Sequence, residues 1–182
     1  MEIIKTKIDG VVIVEPKVFG DHRGFCMQSW SKRTFEEAGL HYDFVQDNQS
    51  KSCCGTVRGL HFQKGEHVQA KLVRVLEGTV LDVAVDIRRA SPTYGRHVAV
   101  ELSEKNKLMM LIPRGFAHGF SVLSETAVFA YKCDNLYCRE SEGGIRFDDP
   151  TLAIDWRIDM SRALTSDKDR LHPYFAEFET CF

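Results

Sequence analysis

Residues 56–74, TVRGLHFQKGEHVQAKLVR, place Arg58, His61, His67 and Lys71 in a segment that otherwise resembles strand. A guanidinium can bind phosphate, a neutral imidazole can accept a proton near neutral pH, and an ammonium can stabilise a developing oxyanion. Strand interiors usually hold apolar side chains, so these residues mark either a solvated sheet face or a binding site. The segment alone leaves both interpretations open.

The elements that must position these residues are mostly strands. Short apolar stretches bounded by Gly, Pro, Ser or Asn recur at near-regular spacing, which favours a sandwich or barrel. The stretch TFEEAGL predicts one short helix that ends at Gly39. The tail from Asp148 alternates less, so we expect it to wrap the outside, with SRALTSDKDR as a turn or short helix.

One hairpin can be predicted in detail. A two-residue turn at Glu77–Gly78 would pair Lys71 with Ala84 and Val73 with Asp82. Lys71 and Asp82 would then lie diagonally on one face, which is either solvated or part of a site.

The opposite face of the same hairpin is far more apolar and suits packing against another sheet. We expect a second subunit to cover it and therefore predict a homodimer. The residues in question are Leu72, Leu81, Val83 and Ile87.

Neither histidines nor cysteines show the spacing of a metal site. The position two after His61 is Gln63 rather than a second His, His118 would need two or three converging partners, and Cys53 and Cys54 are adjacent. We therefore expect no metal, no other cofactor, and six reduced thiols.

Composition limits the class of protein. The 182 residues carry a net charge of −2 without blocks of like sign, so we expect neither a nucleic-acid nor a membrane partner. The N-terminal segment lacks the pattern of a secretory signal, which predicts a cytoplasmic protein. The length and apolar fraction fit a single domain over residues 1–182.

Several motifs, in order along the chain, resemble the dTDP-4-dehydrorhamnose 3,5-epimerase family. They are DHRGF at 21–25, FVQDNQS at 44–50, VRGLHFQ at 57–63, QAKLVRVLEG at 69–78, DVAVDIR at 82–88, SPTYG at 91–95, IPRGFAHGF at 112–120, YKCDNLY at 131–137 and DDPTLAIDW at 148–156. The resemblance implies an all-β, cupin-type double-stranded β-helix, or jelly-roll barrel, with short peripheral helices. It also implies a homodimer that exchanges N-terminal strands.

The implied reaction is epimerisation at C3 and C5 of dTDP-4-dehydro-6-deoxy-D-glucose, which gives dTDP-4-dehydro-L-rhamnose in dTDP-L-rhamnose biosynthesis. The implied ligand is thus a dTDP-linked 4-keto-6-deoxy sugar, with no metal required. Two alternatives remain: an epimerase acting at C3 only or C5 only on another nucleotide-linked 4-keto deoxysugar, and a non-catalytic nucleotide-sugar binding module.

The resemblance also implies residue roles. The catalytic base falls on His61, its orienting carboxylate on Asp169, the enolate-stabilising cation on Lys71 and the general acid on Tyr131. The substrate-binding positions are Arg23, Gln28, Gln46, Asn48, Arg58, His118, Tyr137 and Lys168.

Two positions depart from the family pattern. Cys26 stands where the family commonly has an aromatic residue and Gln28 where it has Glu, and both positions touch the nucleobase in the family. Cys cannot stack as an aromatic ring does, and Gln offers a donor as well as an acceptor. We therefore expect weaker or less selective thymine recognition.

Overall fold

The computed structural model describes residues 1–182 as thirteen strands and two short α-helices, with a few 3₁₀ turns. The strands are β1 (Glu2–Lys5), β2 (Val12–Glu15), β3 (Val18–Asp21), β4 (Gly24–Met27), β5 (Gln46–Cys53), β6 (Val57–Gln63), β7 (Lys71–Glu77), β8 (Thr79–Asp86), β9 (His97–Ser103), β10 (Met109–Ile112), β11 (Phe116–Val122), β12 (Thr126–Cys133) and β13 (Glu142–Gly144). The helices are α1 (Lys32–Glu37) and α2 (Asp167–Arg170). No helix is both long enough and apolar enough to cross a membrane.

The strands form two large antiparallel sheets and one small hairpin. One sheet has the order β1-β2-β10-β7-β12-β5 and the other β13-β6-β11-β8-β9, while β3 and β4 pair only with each other. The prediction of an all-β jelly-roll with short peripheral helices is confirmed.

An apolar cluster fills the space between the two large sheets. Val73 and Phe129 come from one sheet, and Val80 and Phe120 come from the other. The rings of Phe120 and Phe129 stack with centroids 4.2 Å apart, and both rings also line a polar cavity. The interior of the barrel therefore contains both an apolar core and a polar chamber, and these two rings contribute to each.

The chain itself covers the outer faces of both sheets. The C-terminal tail places Leu152 and Trp156 over Leu81 and Val83 of β8, as the sequence predicted. On the other sheet, Phe35 of α1 belongs to the cluster that buries Leu72. The expectation that a second subunit covers this apolar surface is therefore wrong, because intrachain packing already buries it.

The predicted hairpin of β7 and β8 is also wrong. Strand β7 pairs with β10 and β12, whereas β8 pairs with β9 and β11 in the facing sheet. Gly78, at φ +80°, carries the chain from one sheet to the other, and a Cβ there would lie 2.1 Å from the Thr126 carbonyl oxygen. Lys71 and Asp82 therefore belong to opposite walls of the barrel and not to one face of a ribbon.

Candidate active site

The polar chamber between the sheets is a cavity of about 280 Å³. It brings together six of the residues that the sequence singled out. They are Asn48, Arg58, His61, Lys71, His118 and Tyr131.

Strand β6 delivers two of these side chains because its alternation is broken. Gly59 has φ +137°, and a Cβ at this position would lie 2.5 Å from the Cα of Gly119 on the neighbouring strand. Arg58 and His61 therefore both line the cavity although they are three residues apart. Leu60 and Phe62 belong to the outer apolar cluster.

Helix α2 supplies the partner of His61. Its N-cap Ser166 accepts a hydrogen bond from the backbone N–H of Asp169, which fixes the start of the helix. The Asp169 carboxylate is 4% exposed, and its Oδ1 lies 2.6 Å from Nε2 of His61. Burial alone would raise the pKa of Asp169, but the hydrogen bond and charge of His61 bring the pKa below its ordinary value.

This geometry assigns a tautomer to His61. An ionised Asp169 only accepts hydrogen bonds, so the proton lies on Nε2 and the lone pair on Nδ1. Nδ1 forms no hydrogen bond with the protein. The pair has the arrangement of a general base held by a carboxylate.

The facing sheet contributes Lys71 on β7 and Tyr131 on β12. These strands are neighbours, and the Lys71 Nζ lies 5.8 Å from the centroid of the Tyr131 ring. Burial raises the pKa of the Tyr131 phenol and lowers the pKa of the Lys71 ammonium, while Asp82 opposes the latter effect. A buried lysine and a protonated phenol thus face the imidazole across the cavity.

Asp82 is paired with His118 deep in the chamber. His118 Nε2 lies 2.8 Å from the Asp82 Oδ1, and both side chains are buried. Burial lowers the pKa of His118. The Asp82 Oδ2 has no hydrogen-bond partner. Asp82 and Lys71 therefore lie inside the barrel, and the interpretation of their strand face as solvated is wrong.

A second opening, of about 360 Å³, adjoins the first and shares Arg58 and His61 with it. Its wall includes Lys168 and Glu142, which form an ion pair. The Tyr137 hydroxyl donates to Glu142 Oε2 at 2.9 Å. Arg58 is oriented by its own hydrogen bond, from Nε to Ser52 Oγ at 3.0 Å.

Hydrogen bonds connect the remaining predicted contacts along this rim. The Tyr137 N–H donates to Gln46 Oε1, and Gln46 Nε2 donates to Asn48 Oδ1. The structure thus connects Gln46, Asn48 and Tyr137 in one chain of contacts, which Glu142 extends to Lys168.

Arg23 and Gln28 lie away from the cavity. Arg23 sits in the β3–β4 hairpin and pairs with Asp21 at 2.6 Å. Gln28 follows that hairpin and accepts a hydrogen bond from Thr34. Within one chain, the structure does not bring either residue to the other predicted site residues.

Sequence reasoning missed two site residues, Glu142 and His172. Glu142 precedes two glycines in a three-residue edge strand, a context that carries no recognisable signal. His172 lies just beyond α2, with its Nε2 4.0 Å from Asp169 Oδ1 and its ring 5.8 Å from the His61 ring. Only the folded tail brings it to the site.

Comparison with known proteins gives a consistent result along the whole chain. A family model described as dTDP-4-dehydrorhamnose 3,5-epimerase matches residues 5–177. The curated dTDP-4-dehydrorhamnose 3,5-epimerase of Shigella flexneri is 53% identical over 170 residues, which cover 93% of each chain. The crystal structure of the enzyme of that name from Elizabethkingia anophelis has a TM-score of 0.92 at 54% identity, covering 97% of both chains.

A further similar structure was solved with a sugar nucleotide bound. It is a dTDP-6-deoxy-D-glucose-3,5-epimerase from Legionella pneumophila in complex with dTDP-4-keto-L-rhamnose. Its TM-score is 0.94 at 49% identity, covering 98% of this chain and 94% of that one.

Proposed function

The chain belongs to the dTDP-4-dehydrorhamnose 3,5-epimerase family, and we propose that it inverts C3 and C5 of dTDP-4-dehydro-6-deoxy-D-glucose to give dTDP-4-dehydro-L-rhamnose. The observation that carries the mechanism is the placement of His61 on one sheet and of Lys71 and Tyr131 on the facing sheet of one cavity. Inversion needs a base on one side of a carbon and an acid on the other, and two facing walls provide both.

His61 is the base. The ketone at C4 acidifies the C–H bonds at C3 and C5, but neither carbon loses a proton unaided at neutral pH. The free Nδ1 lone pair takes the proton, and Asp169 stabilises the imidazolium that forms. The carboxylate is suited to this role because it is buried and ionised.

Lys71 and Tyr131 complete the reaction from the other wall. Charge builds on the C4 oxygen as the proton leaves, and the Lys71 ammonium favours that enolate over the ketone. Tyr131 then protonates the carbon from the side opposite His61. Its raised pKa keeps the phenol protonated and available for donation.

Arg58 and Lys168 provide positive charge for the diphosphate at the outer opening, where both side chains line the wall. Arg58 is the better-placed group because Ser52 fixes its guanidinium and it also lines the inner cavity. Gln46, Asn48, His118 and Tyr137 complete the proposed contacts with the nucleotide and sugar.

The reaction is tested by incubating the protein with dTDP-4-dehydro-6-deoxy-D-glucose in deuterated water and following C3 and C5 by NMR. We expect deuterium at both carbons and formation of the L-rhamnose configuration. Exchange and inversion at one carbon only would identify a single-centre epimerase. Silence at both carbons, with dTDP binding retained, would identify a binding module.

We also propose a homodimer in which the β3–β4 hairpin is exchanged, so that Arg23 serves the partner's site. The hairpin forms a sheet of its own and exposes two aromatic rings on it, Phe19 at 59% and Phe25 at 56%, which a second subunit would cover. Light scattering should give about twice the protomer mass of 20.8 kDa. The Phe19→Ser, Phe25→Ser double variant should shift the mass toward the protomer. Met160→Ser is the control, because Met160 is an exposed apolar residue outside the hairpin, and it should leave the mass unchanged. A wild-type mass near 20.8 kDa would refute the proposal.

The departures at Cys26 and Gln28 lead to a proposal about the nucleobase. We propose that thymine is recognised less selectively than in relatives with an aromatic residue and Glu at these positions. Calorimetry with dTDP and UDP measures the selectivity directly. Similar affinities for the two nucleotides support the idea, and a strong preference for dTDP contradicts it.

We further infer that residues 1–182 act as one domain in the cytoplasm. All six cysteines are free, and four of them are exposed, a state that a reducing compartment maintains.

A further inference from the structure

Three potential metal ligands converge behind the catalytic cavity. His61, Asp169 and His172 each offer one nitrogen or oxygen atom, and these atoms all lie within 4.8 Å of one another. Asp169 Oδ1 lies between the two rings, 2.6 Å from Nε2 of His61 and 4.0 Å from Nε2 of His172. Asp169 lies in α2, and His172 lies two residues beyond the end of that helix. The C-terminal tail therefore supplies two of the three ligands together.

The catalytic role proposed above does not account for His172. Its side chain is 14% exposed, and its Nε2 has no hydrogen-bond partner in the protein. The ring packs against Gly144, where a Cβ would lie 2.4 Å from that nitrogen. A buried polar nitrogen without a partner indicates a ligand that the protein alone does not provide.

We propose that His61, Asp169 and His172 bind a divalent transition-metal ion, and that this ion blocks the base. Two imidazoles and one carboxylate form a donor set that suits Zn²⁺ and its neighbours Co²⁺ and Ni²⁺, with a fourth position left for water. The proposal goes beyond the epimerase activity because the ion is an inhibitor and takes no part in the reaction.

The distances require all three side chains to move, because their ligand atoms are spread over up to 4.8 Å. Ligands at ~2.1 Å from a tetrahedral ion are about 3.4 Å apart. The His61–Asp169 pair at 2.6 Å must therefore open slightly, and His172 at 4.0 Å must approach slightly. The outer opening of about 360 Å³, lined by both His61 and Asp169, provides the entry path.

The neighbouring charges partly cancel. Arg58 and Lys168 oppose a cation at this point, while Glu142 favours it, and Lys168 and Glu142 are paired with each other. The net environment therefore favours moderate, reversible binding over permanent occupancy.

Inhibition follows from the position of the ion. A cation between the ring and the carboxylate occupies the place of the Nε2–H proton that joins His61 to Asp169. Nε2 can bind the ion only through its lone pair, so the Nε2–H bond breaks and the proton of the neutral ring stands on Nδ1. Nδ1 then has no lone pair to accept a proton from the substrate, and proton abstraction stops. A chelator should restore the rate.

The test is titration of the whole protein with Co²⁺ in the absence of any sugar nucleotide, so its outcome does not depend on the proposed reaction. The visible spectrum of Co²⁺ distinguishes imidazole and carboxylate ligands from the thiolates of the six free cysteines. We expect one ion per chain with nitrogen and oxygen ligation. His172→Asn should weaken binding at least about 100-fold, more than the 10–100-fold typical for loss of an outer-shell partner.

His41→Asn is the matched control, because His41 is an exposed histidine in the loop after α1. It should leave the Co²⁺ affinity unchanged. In the enzyme assay, Zn²⁺ should inhibit the wild type and the control equally, and EDTA should reverse the inhibition. The His172→Asn variant should resist Zn²⁺ relative to its own metal-free rate. Absence of Co²⁺ binding, thiolate ligation only, or equal affinity in His172→Asn would each overturn the proposal.

Discussion

Replacing Tyr131 by Phe separates deprotonation from inversion, because the change removes only a hydroxyl group. The Tyr131 hydroxyl forms no hydrogen bond within the protein, so its loss leaves no buried partner unsatisfied. The ring packs beside Phe129, with centroids 6.1 Å apart, and Phe preserves that contact. We expect the melting temperature to change little, corresponding to no more than about 0.5 kcal/mol.

The kinetic effect should be large and confined to one step. A positioned general acid contributes roughly 10²- to 10⁴-fold, which is about 2.7–5.4 kcal/mol of transition-state stabilisation. Lys71 and the His61–Asp169 pair remain in place, so the enolate should still form. Without the phenol, His61 returns a proton to the face it came from.

The assay follows C3 and C5 of dTDP-4-dehydro-6-deoxy-D-glucose by NMR in deuterated water. Tyr131→Phe should incorporate deuterium with retained configuration, while net epimerisation falls roughly 10²- to 10⁴-fold. His61→Asn is the matched comparison and should abolish exchange and inversion together. If Tyr131→Phe lost exchange and inversion in equal measure, the phenol would also serve deprotonation and the division of roles between the two walls would be wrong.

Three further predictions concern single residues. Asp169→Asn should reduce deuterium exchange by about 10²- to 10⁴-fold, because an amide cannot stabilise the His61 imidazolium; an unchanged exchange rate would exclude its role. Asp86 accepts hydrogen bonds from Arg88, Ser91 and Thr93, so Asp86→Ala should cost about 2–4 kcal/mol in a denaturant titration. The pKa of the Asp86 carboxyl is lowered from 3.8 to about 2, so the stability that Asp86 contributes is present above pH 3.8 and is lost as the pH falls through about 2. An acid unfolding curve that is the same in the wild type and in Asp86→Ala would contradict this prediction. Val83→Asp should destabilise the protomer itself by at least about 4 kcal/mol, and a dimer that dissociates into stable protomers would show that Val83 lies at a subunit interface.

Side-chain direction along each strand could be predicted from the sequence, because the two-residue period is a local property. Leu60 and Phe62, two residues apart, share the outer cluster, and Val73 and Val80 belong to the cluster inside the barrel. The short helix could be predicted from the glycine that ends it, Gly39, and the structure adds Ser31 as its N-cap.

Strand partners could not be predicted in the same way. The sequence of a glycine turn after Glu77 is compatible with two outcomes: the next strand can fold back beside β7, or it can cross to the facing sheet. The choice depends on partners far along the chain, since β10 and β12 occupy both edges of β7. His172 could not be predicted for the same reason. Asp169 lies 108 residues from His61 in the sequence, and only the folded C-terminal tail brings the three residues together.

The crossing of β7 and β8 into separate sheets changes the role that we expect for Lys71. Asp82 on the opposite wall is engaged by His118, and Lys71 forms no ion pair in the free protein. Burial therefore lowers the pKa of a cation that has no close anionic partner of its own. The ketone oxygen of the substrate offers only a dipole, whereas the enolate oxygen offers a full negative charge in a site of low dielectric constant. The ammonium gains most of its stabilisation as the enolate forms, so Lys71 should lower the barrier to proton abstraction far more than it strengthens binding of the ketone.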